Sequence, residues 1–318
     1  MSKKIAIIGA GISGANLASK LKQSGFVVTV FEKARGPGGR TSTRRFQDGD
    51  KVYRIDHGAQ YIDVESSQFQ EFIDELEKQN VVEKFTKLGT QNTFVAVPAM
   101  NAVAKFLMQG IDVEYGVRVG KIETSNAKNL IYDFKEKLLG EFDLVISTAP
   151  PKQTAEVFRH FDQFKALSQV EMKAHFAVML LSSKEDKFSF SEMHITDGSM
   201  LNWIGINSQK PARAKELAII MHTNFKWSFK NQDMDRDEIT KLALAELKEK
   251  TGFEDENPIY VACHRWLYGR TIEPLNKDFI FDEKNNLASC GDYMLGDNIE
   301  AAYLSSTRLA EFIIENNK

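Results

Sequence analysis

Cysteine is scarce in this chain: 318 residues hold two, Cys263 and Cys290. Two thiols form one bridge at most, so no disulfide framework supports the fold, and a reducing cytoplasmic setting is expected. Long apolar runs are missing as well. No uninterrupted stretch approaches the ~20 residues that cross a bilayer. Met1-Ser2-Lys3-Lys4 leads into an apolar segment too short for a secretion signal, and no apolar tail precedes Lys318, so a soluble protein with no membrane partner is expected. Charge of one sign is not in excess: 41 Lys and Arg face 44 Asp and Glu, a net charge of −3 that offers nothing to nucleic acid. Internal repeats and low-complexity tracts are absent. The six histidines and two cysteines fall in no metal-ligand spacing, so no metal is expected. The length allows a large core and two domains.

The first thirty-two residues carry the strongest signal. Lys3-Lys4-Ile5-Ala6-Ile7-Ile8 reads as a short apolar strand, and Gly9-Ala10-Gly11-Ile12-Ser13-Gly14 completes G-x-G-x-x-G. A helical stretch follows to Gln23, then a second strand, Val27 to Phe31, ending at Glu32. Strand, glycine turn, helix, strand and terminal acid make a Rossmann unit. The glycines let the backbone approach a pyrophosphate, and the helix N-terminus offers it free N–H groups and a positive dipole end. Glu32 suits the two hydroxyls of an adenosine ribose. A second G-x-G-x-x-G is absent, so a substrate nucleotide would have no Rossmann domain of its own.

A basic glycine loop, Lys33-Ala34-Arg35-Gly36-Pro37-Gly38-Gly39-Arg40, follows in place of the next helix. The N–H groups of Gly38 and Gly39, with Arg40, fit a second set of pyrophosphate contacts. Arg35, Arg44 and Arg45 add to the local charge, either as solvated surface or as phosphate contacts. Asp56-His57-Gly58-Ala59-Gln60-Tyr61 comes after a short strand. Together these segments resemble the FAD-containing amine oxidase superfamily. The resemblance implies that FAD is clasped non-covalently by Gly9, Gly11, Ser13, Gly14, Glu32 and Lys33, by Gly38, Gly39 and Arg40, and by Gly58, Ala59, Gln60 and Tyr61. It further implies backbone contact of Val119 with the adenine and of Gly291 and Asp292 with the ribityl chain or pyrophosphate. Asn298 and Ile299 would lie at the flavin's pyrimidine edge.

The fold expected is α/β: a Rossmann-type FAD-binding domain with a second, mainly antiparallel β plus helix substrate domain. Residues 1–65, 96–150 and 267–318 are assigned to the first and 66–95 and 151–266 to the second. Within the second, strands are expected over 175–181, 199–206 and 217–223, followed by an amphipathic helix at 235–250 using Ile239, Leu242, Ala243 and Leu247. Leu287 to Asp292 and a last helix from Ile299 close the first domain.

His264-Arg265-Trp266, just upstream of that closing element, narrows the resemblance to the renalase group, especially its bacterial members. This implies an FAD-dependent oxidase that takes hydride from a small-molecule substrate, a reduced nicotinamide dinucleotide in its isomeric dihydro forms, and passes the electrons to oxygen. Strand alternation puts His264 and Trp266 on one face with Ala262, and Cys263 and Arg265 on the other. Two placements stay open for His264 and Trp266, beside the flavin as substrate pocket or in the core. His160, His175, His194 and His222 are expected to be structural. An amine oxidase or desaturase of the same fold, and a non-catalytic FAD-binding protein, are the alternatives.

Overall fold

The first apolar run becomes β1 (Lys4–Ile8), at the heart of a six-stranded sheet. The computed structural model describes residues 2–88, 92–125 and 128–317. The sheet runs β18 (Ile280–Asp282), β19 (Leu287–Ser289), β12 (Leu144–Ser147), β1, β2 (Val27–Glu32), β8 (Asp112–Tyr115). All neighbours are parallel except β18 and β19. Its central strands are buried on both faces, which accounts for their unbroken apolar runs.

One face carries α1 (Ile12–Gln23) and α7 (Ile299–Glu315) side by side. Polar hooks join them: Ser13 Oγ donates to the Ala302 carbonyl (3.0 Å), and Asn16 Nδ2 donates to Ser306 Oγ and Thr307 Oγ1 (both 2.9 Å). The other face is covered by a three-stranded sheet, β9 (Val119–Ser125), β10 (Lys128–Asp133) and β11 (Leu138–Phe142), and by α4 (Pro151–Val157).

Of residues 66–95, expected with the substrate domain, 66–88 and 92–95 pack elsewhere, and 89–91 lie outside the described residues. Ser66 caps α2 (Ser67–Lys78) by accepting from Phe69 N, and α2 sets its apolar stripe of Phe69, Ile73 and Leu76 into the core of α1 and α7. Phe72 stacks on Tyr303 of α7 with ring centroids 4.3 Å apart. The small sheet β5 (Ile62–Asp63), β7 (Thr93–Ala96) and β6 (Val82–Lys84), and α3 (Ala102–Leu107), belong to the same core.

A five-stranded antiparallel sheet, β14 (Glu192–His194), β15 (Leu201–Ile206), β16 (Leu217–Thr223), β13 (Met172–Ser182), β17 (Tyr260–Thr271), forms the second lobe. A short helix, α5 (Phe225–Lys230), follows β16, and α6 (Arg236–Thr251) covers one face with Ile239, Ala243 and Leu247. Leu242, expected in that stripe, is 43% exposed. It lies about 100° round the helix from Ala243, off the contact line. The opposite face receives the hairpin of β3 (Thr43–Asp48) and β4 (Lys51–Asp56), with Tyr53 and Ile55 packed on Ala177, Met179, Trp203 and Ile220.

Candidate active site

Two glycine turns meet at the C-terminal edge of the central sheet. Gly9 has φ +106°, and a Cβ at Gly14 would overlap the Gly9 carbonyl oxygen, so the first turn lies flat against the start of α1. The second turn is stitched to the first by Gly38 N donating to the Ala10 carbonyl (2.8 Å). Gly38 and Gly39 have φ +138° and +53°. A Cβ on Gly39 would stand 3.1 Å from Gly11 Cα, and one on Gly11 3.9 Å from Gly39 Cα. The two bare backbones therefore pass in near contact, an approach that a side chain on Gly39 would push apart. No side chain caps α1, which leaves its first N–H groups free for an anion.

Glu32 closes this end. Its two carboxylate oxygens accept from Ala10 N and Ala34 N, each at 2.7 Å, so it ties both glycine turns to the tip of β2. Remaining lone pairs stay available to hydroxyl donors. Val117 N donates to the Glu32 carbonyl (3.0 Å), which brings the backbone leading to Val119 beside the same tip. Lys33 projects outward and donates to Gln153 Oε1 (3.2 Å).

Arg40 makes a two-pronged pair with Asp292, one prong at 2.7 Å. Burial alone would lower the arginine's pKa, but Asp292 outweighs it and holds the guanidinium charged. Gly291 N donates to Ser305 Oγ of α7 (3.1 Å), and Asn298 caps α7 by accepting from Ala301 N (2.8 Å), with Ile299 opening the helix. Glu300 accepts from Glu65 N and Ser66 N (2.8 and 2.9 Å), and Asp297 pairs with Arg270.

The loop from His57 to Tyr61 forms the bridge to the second lobe. Ala59 N donates to the Arg40 carbonyl (2.8 Å), and a Cβ on Gly58 would overlap that same carbonyl while standing 3.3 Å from Trp266 Cζ2. Trp266 Nε1 donates to the His57 carbonyl (2.7 Å), and the two rings stack with centroids 5.5 Å apart. His264 meets both, 4.8 Å from His57 and 4.5 Å from Trp266. The pairing of the strands fixes which sheet face these side chains occupy. His264 and Trp266 lie on the sheet face turned from α6, against the His57–Gly58 backbone, with Cys263 on the α6 side.

His175 and His222 lie on that same face, which sequence reading missed. Cross-strand register sets Ala177 opposite both His222 and His264, and His175 opposite Trp266. The His175 and His222 rings are 5.1 Å apart, and Trp203 lies 5.0 Å from His222. His57 Nδ1, His175 Nδ1 and His222 Nε2 are buried without partners. Burial pushes His57 down to about 3 and His175 and His264 to about 4, and holds His222 well below the usual imidazole range. These imidazoles are neutral at pH 7. The site therefore has a wall of flat, uncharged rings.

Beneath the loop lies a buried ionic cluster that no periodic pattern announces. Asp56 Oδ1 accepts from Thr43 Oγ1 (2.6 Å) and Met100 N (2.9 Å). Its Oδ2 accepts from Arg213 Nη2 (2.7 Å), Arg213 Nε (3.2 Å) and Lys210 Nζ (3.3 Å). Burial pushes the Asp56 carboxyl up, but Lys210 and Arg213 outweigh it and hold it below the usual range. Burial pulls Lys210 down to about 8 against the pull of Asp56. Lys210 also donates to Gln60 Oε1 (2.8 Å) and sits 5.2 Å from the Tyr61 ring centre. Gln60 Nε2 in turn donates to the Asp56 and Gly58 carbonyls (2.9 and 3.0 Å). The cluster holds both lobes to the bridging loop.

Comparison with known proteins follows this geometry. Residues 7–76 match the family profile of an NAD(P)-binding Rossmann-like domain, and residues 83–314 that of flavin containing amine oxidoreductases. Over 38 residues the chain is 50% identical to the zeta-carotene-forming phytoene desaturase of Myxococcus xanthus, a match spanning 12% of this chain and 7% of the desaturase. Among solved structures, cyclohexylamine oxidase from Brevibacterium oxydans IH-35A aligns over 99% of both chains with a TM-score of 0.73 and 13% identity. The CLA-producing fatty acid isomerase from P. acnes aligns over 98% of both chains with a TM-score of 0.71 and 14% identity. At such identities the likeness is one of fold. No described helix is long and apolar enough to cross a membrane, and the described residues contain no group of three or more candidate metal ligands.

Proposed function

Because the chain belongs to the flavin containing amine oxidoreductase family, we propose that it binds FAD non-covalently and oxidises a small reduced ring, a dihydronicotinamide in an isomeric dihydro form, with dioxygen as the final acceptor. The Gly9–Gly14 turn, Glu32, the Gly38–Arg40 loop and Asp292 would hold the cofactor. The bare backbones of Gly11 and Gly39, side by side at the uncapped start of α1, would let its pyrophosphate approach the main chain. When bound, the flavin supplies hydride acceptance at its N5. Non-covalent retention agrees with the thiols: Cys263 packs with the α6 side of the sheet, and Cys290 is fully buried. Both are free, in keeping with a reducing cytoplasmic setting.

The observation that carries the substrate reading is the wall of His57, His264 and Trp266 beside the Gly58 loop. Its rings offer stacking faces and neutral hydrogen-bonding edges to a flat uncharged ring. Trp266 would stack such a ring, and His264 would orient its carboxamide. An ammonium would fare worse, because Arg44 already disfavours added positive charge at His57 and His264. Hydride transfer asks the protein chiefly for alignment, with the reacting atoms about 3–3.5 Å apart, and needs no protein acid or base at the reacting carbon.

Anaerobic stopped-flow mixing tests the reading. Isomeric dihydronicotinamides should bleach the flavin faster than ordinary NAD(P)H or simple monoamines, and air should restore the colour. His264→Ala should slow the bleaching while leaving flavin content intact. Bleaching by amines alone would transfer the assignment to amine oxidation, and no bleaching by any donor would point to a non-catalytic flavoprotein. Flavin that stays with the acid-precipitated pellet would refute non-covalent binding.

A further inference from the structure

Arg44, whose charge bears on His57 and His264, makes none of the ion pairs that hold the described residues together. Arg40, Arg213, Arg270 and Arg308 each pair with an aspartate. Arg44 is half-buried, its Nε is buried without a hydrogen-bond partner, and among the described residues no carboxylate pairs with it. A guanidinium N–H shut off from water with no acceptor is unfavourable unless a ligand supplies one.

Its position is fixed by its neighbours. In the β3–β4 hairpin Arg44 is opposite Ile55, which is packed on the ring-bearing sheet face. Two residues further along β3, Phe46 stacks on Tyr260 with centroids 4.5 Å apart. At the other end, the Arg40 carbonyl lies by Gly58 and Trp266. The segment 40–46 thus runs along β17 from Trp266 towards Tyr260, and Arg44 falls over the stretch that contains His264. Its charge reaches both His57 and His264, helping to keep them neutral.

We propose that Arg44 is a specificity-determining residue that receives a phosphoryl oxyanion of the substrate, so that the site takes the nucleotide form of a reduced ring in preference to the phosphate-free form. The guanidinium fork matches a phosphate with two parallel hydrogen bonds, and a half-buried site strengthens them. The inference builds on the substrate class proposed above. Its test uses binding without turnover, so the two readings fail separately.

The flavin-loaded protein is titrated with 1,4,5,6-tetrahydronicotinamide mononucleotide, whose ring is uncharged and donates no hydride, and with its phosphate-free riboside, following perturbation of the flavin absorbance. In the wild type the mononucleotide should act at a concentration at least tenfold lower. In Arg44→Met the two titrations should coincide through loss of the mononucleotide's advantage, and Arg44→Lys should fall between. Equal titrations in the wild type, or an unchanged gap in Arg44→Met, overturn the proposal, and the wild-type comparison decides alone if the methionine variant does not fold. A phosphate preference together with no bleaching by dihydro isomers would keep the Arg44 site and overturn the redox reading.

Discussion

Asp56→Asn should be among the most destabilising polar substitutions in the chain. The carboxylate is fully buried and, among the described residues, is the sole acid in ion-pair contact with Lys210 and Arg213, whose side chains are each 1% exposed. Asparagine keeps the shape and one acceptor for Thr43 and Met100, but it removes the negative charge between two buried cations. Breaking a buried pair by removing one partner costs about 3–5 kcal/mol, because the other charge stays buried and uncompensated. Arg213 retains the Pro211 and Ala96 carbonyls (2.9 and 3.0 Å), which limits its share of the loss. Lys210 retains Gln60 but, already held at about 8 by burial, loses its proton at neutral pH once Asp56 is gone and stays buried as a poorly satisfied amine. Adding Lys210→Met to Asp56→Asn should therefore recover part of the lost stability. Urea unfolding of the flavin-loaded proteins, followed by far-UV circular dichroism at fixed flavin concentration, measures both steps. An Asp56→Asn variant within about 1 kcal/mol of wild type, or a double variant weaker than the single one, would refute the reasoning.

Gly58→Ala should purify with little flavin, since its Cβ overlaps the Arg40 carbonyl and must push the bridging loop away; wild-type occupancy by absorbance would count against that loop as a cofactor contact. Acid should unfold the protein partly through the ring wall. His175 falls from 6.5 to about 4 in the fold, so the unfolded chain binds its proton first, and stability present above pH 6.5 is lost as pH falls towards 4. Between pH 6.5 and about 4, His175→Phe should flatten the stability–pH slope by up to about 1.4 kcal/mol per pH unit, and parallel slopes for variant and wild type across that window would rule this out.

The Rossmann end of the fold was legible in the sequence because its determinants are local. A tight turn needs glycine at fixed spacings, β1 and β2 are short apolar runs, and Glu32 ends the second of them, so residues 4–32 spell out their own geometry. The ring wall was half legible. Alternation gave His264 and Trp266 a common face, but which face met α6 depended on the pairing of β13 with β17. His175 and His222 joined them through register across three strands, which leaves no mark on spacing. The Asp56 cluster was the least visible: Lys210 lies 154 residues away, and each residue alone reads as surface charge. Residues 66–95 misled because their helix shows an apolar stripe without showing what the stripe will meet.

The Arg40–Asp292 pair also carries a consequence for biosynthesis. Its partners are 252 residues apart, and α7, which packs on α1, comes later still. A ribosome adds about 5–20 residues per second, so Arg40 waits roughly 12–50 s for its counter-charge. Through that interval β1, α1 and β2 are already made, yet β19 and the Gly291–Asp292 turn that complete the cradle are not. The two glycine turns therefore stand without the Arg40–Asp292 clamp until β19 and the turn after it have been made.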